Sequence, residues 1–116
     1  METGYKVLDV RKDGLYSLVI RRAGGMRYLP GQCNIPMPGW GPMCVLPDVA
    51  LAVGFLKMYG DMAMGKAEIY QVGYERSQET MAWEPFIVGI DATRIGMLSE
   101  GTILADRVWL ERVVKV

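Results

Sequence analysis

Cys33 and Cys44, Trp40 held between Gly39 and Gly41, and the carboxylates Glu68, Glu75, Glu79, Glu84, Asp91 and Glu100 are the side chains whose types could do chemistry here. No histidine accompanies them. That absence removes Ser-His-Asp and Cys-His catalysis and His-containing zinc sites, because each needs an imidazole near neutrality. The thiols could act as nucleophile and resolving partner only if a Lys, an Arg or a helix N-terminus drew out the thiolate, and Cys44 lies a few residues before such a terminus. Otherwise both are free thiols that behave as small hydrophobes. Two cysteines without histidine make a poor zinc set, so no metal is expected.

The carboxylates show no spacing that singles out an acid–base pair, and carboxylates without a partner belong on the surface. Arg11, Arg21, Arg22 and Arg27 could hold an anion, but Asp9 and Asp13 among them favour a solvated rim. Gly39-Trp40-Gly41-Pro42 is no dinucleotide fingerprint, since Cys44 stands where the third glycine would be required. Trp40 either plugs the core or grips a ligand, and in the second case Tyr70 and Tyr74 supply the other aromatic walls of an apolar pocket. No catalytic residue and no cofactor are expected.

The elements that must position these residues centre on Pro30 to Tyr59. Five of the 6 prolines lie in that stretch, which suits a rigid loop. The loop runs into a short apolar strand, Met43 to Leu46, and then into a helix with Asp48 as N-cap and Gly60 as C′ residue. Upstream, Asp13-Gly14 predicts a two-residue hairpin in which Lys12 faces Leu15. One hairpin face then carries Leu8, Val10, Leu15 and Val19, and the other Tyr5, Val7, Tyr16, Leu18 and Ile20. Met26 to Leu29 returns as a third strand. Downstream, Ala67 to Arg76 alternates with Tyr70, Val72 and Tyr74 on one face. Trp83 to Ile90 is extended and Asp91 to Gly101 irregular. Thr102 to Val116 is a long strand with Leu104, Val108, Leu110 and Val114 on one face and Ile103, Ala105, Trp109 and Val113 on the other.

A chain of 116 residues with 51% hydrophobic and 22% charged residues bounds a single folded domain over 1–116. Its 13 basic and 13 acidic residues cancel and are interspersed, so nothing favours nucleic acid or an anionic membrane. The uncharged run Tyr28 to Pro47 has too many prolines and glycines to span a bilayer. The N-terminus lacks a basic leader, so a cytoplasmic location is expected.

The order of Tyr5-Lys6-Val7, the hairpin, Tyr28 through Pro30-Gly31, Gly41-Pro42, Val45, Ala50 and Phe55, the Glu68-to-Tyr74 strand, and Gly101-Thr102 with Ala105 through Leu110 resembles small uncharacterised microbial and phage-type domains. That resemblance implies no activity. Gly41 with the following strand, Ala50 and the Ile69-to-Tyr74 strand are also loosely similar to ADP-ribosyltransferase-like domains. This second similarity implies an enzyme with Glu100 as catalytic acid and Tyr16 or Ser17 lining the cleft, although that family's first-strand His or Arg signature is missing.

The expected fold is α+β: a curved antiparallel sheet with a meander start, packed around a single main helix. That helix is apolar nearly all round, which implies burial on more than one side or contact with another subunit. The expected function is a non-catalytic binding or protein-interaction domain, homodimeric through Leu51, Phe55, Met58 and Tyr59. The alternatives are a degenerate ADP-ribosyltransferase-like enzyme, or a small-molecule sensor built on Trp40, Tyr70 and Tyr74.

Overall fold

The computed structural model describes residues 1–18, 26–85, 92–94, 98 and 101–116. Its strands are β1 (Glu2–Arg11), β2 (Gly14–Ser17), β3 (Arg27–Tyr28), β4 (Met43–Val45), β5 (Lys66–Arg76), β6 (Trp83–Pro85), β7 (Ala92–Arg94) and β8 (Ile103–Val114), and its helix is α1 (Val49–Tyr59). Six strands make one antiparallel sheet in the order β3-β2-β1-β5-β8-β4, while β6 and β7 pair apart from it. The expected α+β class holds as that sheet with one helix. The pairing of Ala92–Arg94 with Trp83–Pro85 corrects the irregular assignment of Asp91 to Gly101.

The first hairpin differs from the expected register. Arg11 faces Gly14 and Val10 faces Leu15, so Lys12 and Asp13 occupy the turn. Gly14 instead opens the returning strand at φ 152, where a side chain is disfavoured. The slip is by two residues, and a two-residue slip preserves which residues share a face. Leu8, Val10 and Leu15 therefore still point together, and so do Tyr5, Val7 and Leu18.

On β8 the expected faces fail for a different reason. Register shifts against β5 fall where Arg76 faces Ala105 but Glu75 faces Arg107, and where Gln71 faces Arg112 but Val72 faces Leu110. Asp106 and Glu111 are thus the extra residues of two bulges, each of which reverses the alternation beyond it. Ile103 and Ala105 consequently share one cluster with Val108 and Leu110, whereas Val114 belongs to the other.

Residues Leu8 to Arg11 of β1 pair with β2 on the edge opposite β5. Farther back along that edge, Tyr5 and Leu46 exchange backbone hydrogen bonds of 2.8 Å each way. Since Leu46 directly follows β4, the strands β1, β5, β8 and β4 form a closed circuit of hydrogen-bonded neighbours. Gly4 permits the closure: a Cβ there would stand 2.4 Å from Val45 Cγ1 and 2.9 Å from the Tyr74 ring. Leu8, Leu15, Tyr28, Met43, Val45, Val72, Tyr74, Ala105, Val108 and Leu110 form the apolar cluster on one side of this sheet.

The helix covers the opposite face. Asp48 is its N-cap, accepting the Leu51 N–H at 2.8 Å. Asp48→Ala is expected to cost about 1 kcal/mol, read as a lower urea midpoint with unchanged slope. Gly60 does not end the helix in the left-handed conformation. It has φ −57, and the chain continues through a 3-10 turn, Gly60–Met62. Only Ala52 of α1 is buried, while Leu51, Val53, Phe55, Leu56 and Tyr59 lie half-buried against Val7, Leu18, Leu46 and Ile69. Within the single chain the helix is a surface element, so of the two expected alternatives burial on more than one side is not the one met here.

Candidate functional site

Tyr70, Val72 and Tyr74 share one face of β5, as their alternation predicts, and all three belong to the apolar cluster of the closed circuit. The buried Tyr74 directs its hydroxyl to Glu2 Oε1 at 3.4 Å, and Glu2 is held in turn by Arg76 at 2.7 Å. Burial, and then the Glu2 carboxylate, push the Tyr74 phenol above its ordinary value. Burial followed by Glu68 does the same for Tyr70. Trp40 sits half-buried at the end of a turn whose backbone bond runs from its N–H to the Met37 carbonyl at 2.9 Å. Pro38 and Gly39, the latter at φ 83, occupy the central positions that a type II turn assigns to them. No ring contact joins Trp40 to Tyr70 or Tyr74 among the described residues.

Both cysteines are free, Cys33 exposed and Cys44 half-buried. Burial pushes the Cys44 thiol up, against the opposing charge of Lys6. The basic neighbour that a reactive Cys44 would need is thus present, but desolvation outweighs it and the thiol stays protonated. Among the carboxylates, the half-buried Glu68 lies within 3.5 Å of the exposed Lys66, and Glu75 within 3.7 Å of Arg107 as an ordinary exposed pair. The Glu84 side chain, Asp91 and Glu100 lie outside what the structure describes, as do Arg21 and Arg22. Tyr16 donates its hydroxyl to Asp13 at 2.9 Å, and Ser17 Oγ accepts the Met26 N–H at 2.9 Å, so each is engaged in the local fold. Arg11 donates to Asp9 at 3.0 Å and stacks over the Tyr16 ring at 4.3 Å, whereas Arg27 is exposed.

Three buried polar residues did not stand out in the sequence. Asp9 is fully buried and accepts the backbone N–H groups of Met64 and Gly65 at 3.0 and 2.9 Å besides Arg11. Burial opposes its charge, yet these three donors prevail and hold the carboxyl below its ordinary value. Gly65 is indispensable to that contact, because a Cβ there would stand 2.0 Å from the Val10 carbonyl oxygen. Asn34 is 6% exposed and ties the proline-rich loop to Leu29, Gln32 and Val108 through its side chain.

Lys6 is the third. It is 8% exposed and lies where β2 and β4 part from the same edge of β1. Its Nζ donates to the Cys44 carbonyl and stands 4.9 Å from the centroid of the Tyr28 ring. No carboxylate meets this ammonium among the described residues. The signal for it was present: Lys6 is in phase with Leu8 and Val10, so the hairpin pattern itself places it on the apolar face.

Predicted interface residues Leu51, Phe55 and Tyr59 are half-buried on α1, with the Phe55 and Tyr59 rings 4.7 Å apart, and Met58 is 73% exposed. Among the described residues no group of three metal-ligating side chains occurs, and no helix is long and apolar enough to cross a membrane. No protein-family model, no curated protein and no solved structure matches the chain.

Proposed function

We propose that the chain is a non-catalytic protein-interaction module that forms a homodimer through the outer face of α1 and the turn after it. The observation that carries this reading is the apolar surface there: Met58, Met62 and Met64 are 73, 41 and 73% exposed. Lys57 is the only charged residue of α1 and the turn adds Asp61 of opposite sign, so the surface has no net charge with which to select a different partner. A two-fold axis beside α1 would set Met58 of one copy against Met58 of the other, with the solvent-facing parts of the half-buried Leu51, Phe55 and Tyr59 at its flank. Methionines suit such a contact because their flexible thioethers fill irregular gaps. In the same reading the sheet is strongly curved, with β1 to β3 as its meander start, and the curvature turns the helix outward as the contact ridge.

Sedimentation velocity and native mass spectrometry test this. A dimer is expected, converted to monomer by Met58→Glu with the thermal midpoint of the monomer preserved. A strict monomer at high concentration overturns it.

A further inference from the structure

We infer that Lys6 and Tyr28 form an internal receptor site for a small monocarboxylate carrying an apolar tail. The proposal concerns the sheet side away from α1, and is independent of how the helix is covered.

The starting point is a buried positive charge without a counter-ion. An ammonium has three N–H donors. That of Lys6 has two partners among the described residues, the Cys44 carbonyl and the face of the Tyr28 ring. Neither carries a formal negative charge, and taking an ion out of water without one is costly. The second observation is Tyr28 itself. It is 3% exposed, and its hydroxyl has no hydrogen-bond partner among the described residues. Buried tyrosine hydroxyls ordinarily find one. Two neighbouring side chains, each more than nine-tenths buried, thus have donor capacity that the protein leaves unused.

Their position explains how such a site arises. The edge of β1 is shared between β2 at Leu8 to Arg11 and Leu46 at Tyr5, so Lys6 and Val7 lie at a fork. At the fork, the Cys44 carbonyl receives a side-chain ammonium rather than a strand N–H. Tyr28 belongs to the apolar cluster that also holds Leu8, Leu15, Met43 and Val45.

The chemistry of the occupant follows from these donors. A carboxylate is acceptor-only and has two oxygens, so it can take an N–H from Lys6 and the O–H from Tyr28 while its single charge neutralises the ammonium. A dianion would bring an excess charge into apolar surroundings, and a neutral amide would leave the ammonium uncompensated.

The test is the thermal unfolding midpoint of the full chain titrated with sodium acetate and sodium benzoate at constant ionic strength. Sodium chloride and benzamide serve as controls. A saturable rise is expected with the carboxylates, larger with benzoate, and absent with both controls. Tyr28→Phe should raise the benzoate concentration needed about tenfold, and Lys6→Met should abolish the response. Should Lys6→Met fail to fold, Tyr28→Phe, which removes one oxygen, still decides. An equal response to chloride or benzamide, no response to any carboxylate, or a benzoate response unchanged in Tyr28→Phe overturns the proposal.

Discussion

Asn34→Ala is expected to lower the unfolding free energy by about 3 kcal/mol. The side chain accepts the Leu29 N–H at 2.8 Å, and its two amide hydrogens are shared among the carbonyls of Leu29, Gln32 and Val108 at 3.0, 3.2 and 3.2 Å. Its backbone adds a reciprocal pair with Val108 at 2.8 and 3.0 Å. Alanine keeps the backbone pair, and with it a partner for the Val108 carbonyl, but takes the side-chain partner from the Leu29 N–H and from the Leu29 and Gln32 carbonyls in a partly buried place, where each such loss costs about 1 kcal/mol. Asn34→Asp discriminates this account from simple loss of volume. Aspartate is nearly isosteric, but sets a carboxylate against those carbonyls, so it should destabilise more than alanine does. Urea unfolding measures both, and an aspartate variant more stable than the alanine variant would count against the network.

Asp9→Ala is expected to cost a similar amount, about 3 kcal/mol, because it leaves the Met64 and Gly65 amides and Arg11 facing a void. The effect should depend on pH with a definite sign. The folded carboxyl is held below 3.8, the value of the free side chain, so as pH falls the unfolded chain takes up the proton first. The stabilisation is therefore complete above about pH 5 and drains away as pH falls through the folded value. Glu2, drawn down chiefly by its hydrogen bond to Arg76, adds an acid dependence of the same sign. The contribution of Asp9 is consequently the difference between the wild-type and Asp9→Asn curves. That difference should shrink on acidification, and a constant gap from pH 7 to pH 3 would show that the carboxylate charge is not what binds the loop.

These two residues also show where a sequence stops being informative. The alternation of Tyr70, Val72 and Tyr74 is a local pattern, and β5 follows it directly. The capping role of Asp48 is local too, since its partner is Leu51. Asn34 reads only as a polar residue in a proline-rich loop, because the group that gives it meaning, Val108, lies at the other end of the chain. Asp9 likewise looks like one half of a surface charge pair until Met64 and Gly65 arrive beside it. On β8 the reading failed because nothing in Asp106 or Glu111 marks an extra residue, and an unmarked bulge inverts every later assignment. The hairpin survived its register error only because the slip was even. The shared face of Tyr70 and Tyr74 was legible from period two, while no local pattern relates Trp40 of the loop to that strand. Lys6 could have been found by extending the phase of Leu8 and Val10 back two residues.

The closed circuit has a consequence for how the protein comes into being. Its neighbours β1, β5, β8 and β4 are never consecutive along the chain, so none of its ladders is a hairpin: Glu2 must find Tyr74, and Met43 must find Ala105. Each ladder therefore begins with a long loop closure whose entropy is lost before any contact compensates it, and topologies of this kind assemble slowly. On the ribosome, β1, β4 and β5 emerge before the strand that completes their wall. Until β8 is released, β4 has no ladder and one edge of β5 stays open, which makes the nascent chain, rather than the finished fold, the form most exposed to aggregation and most dependent on chaperones.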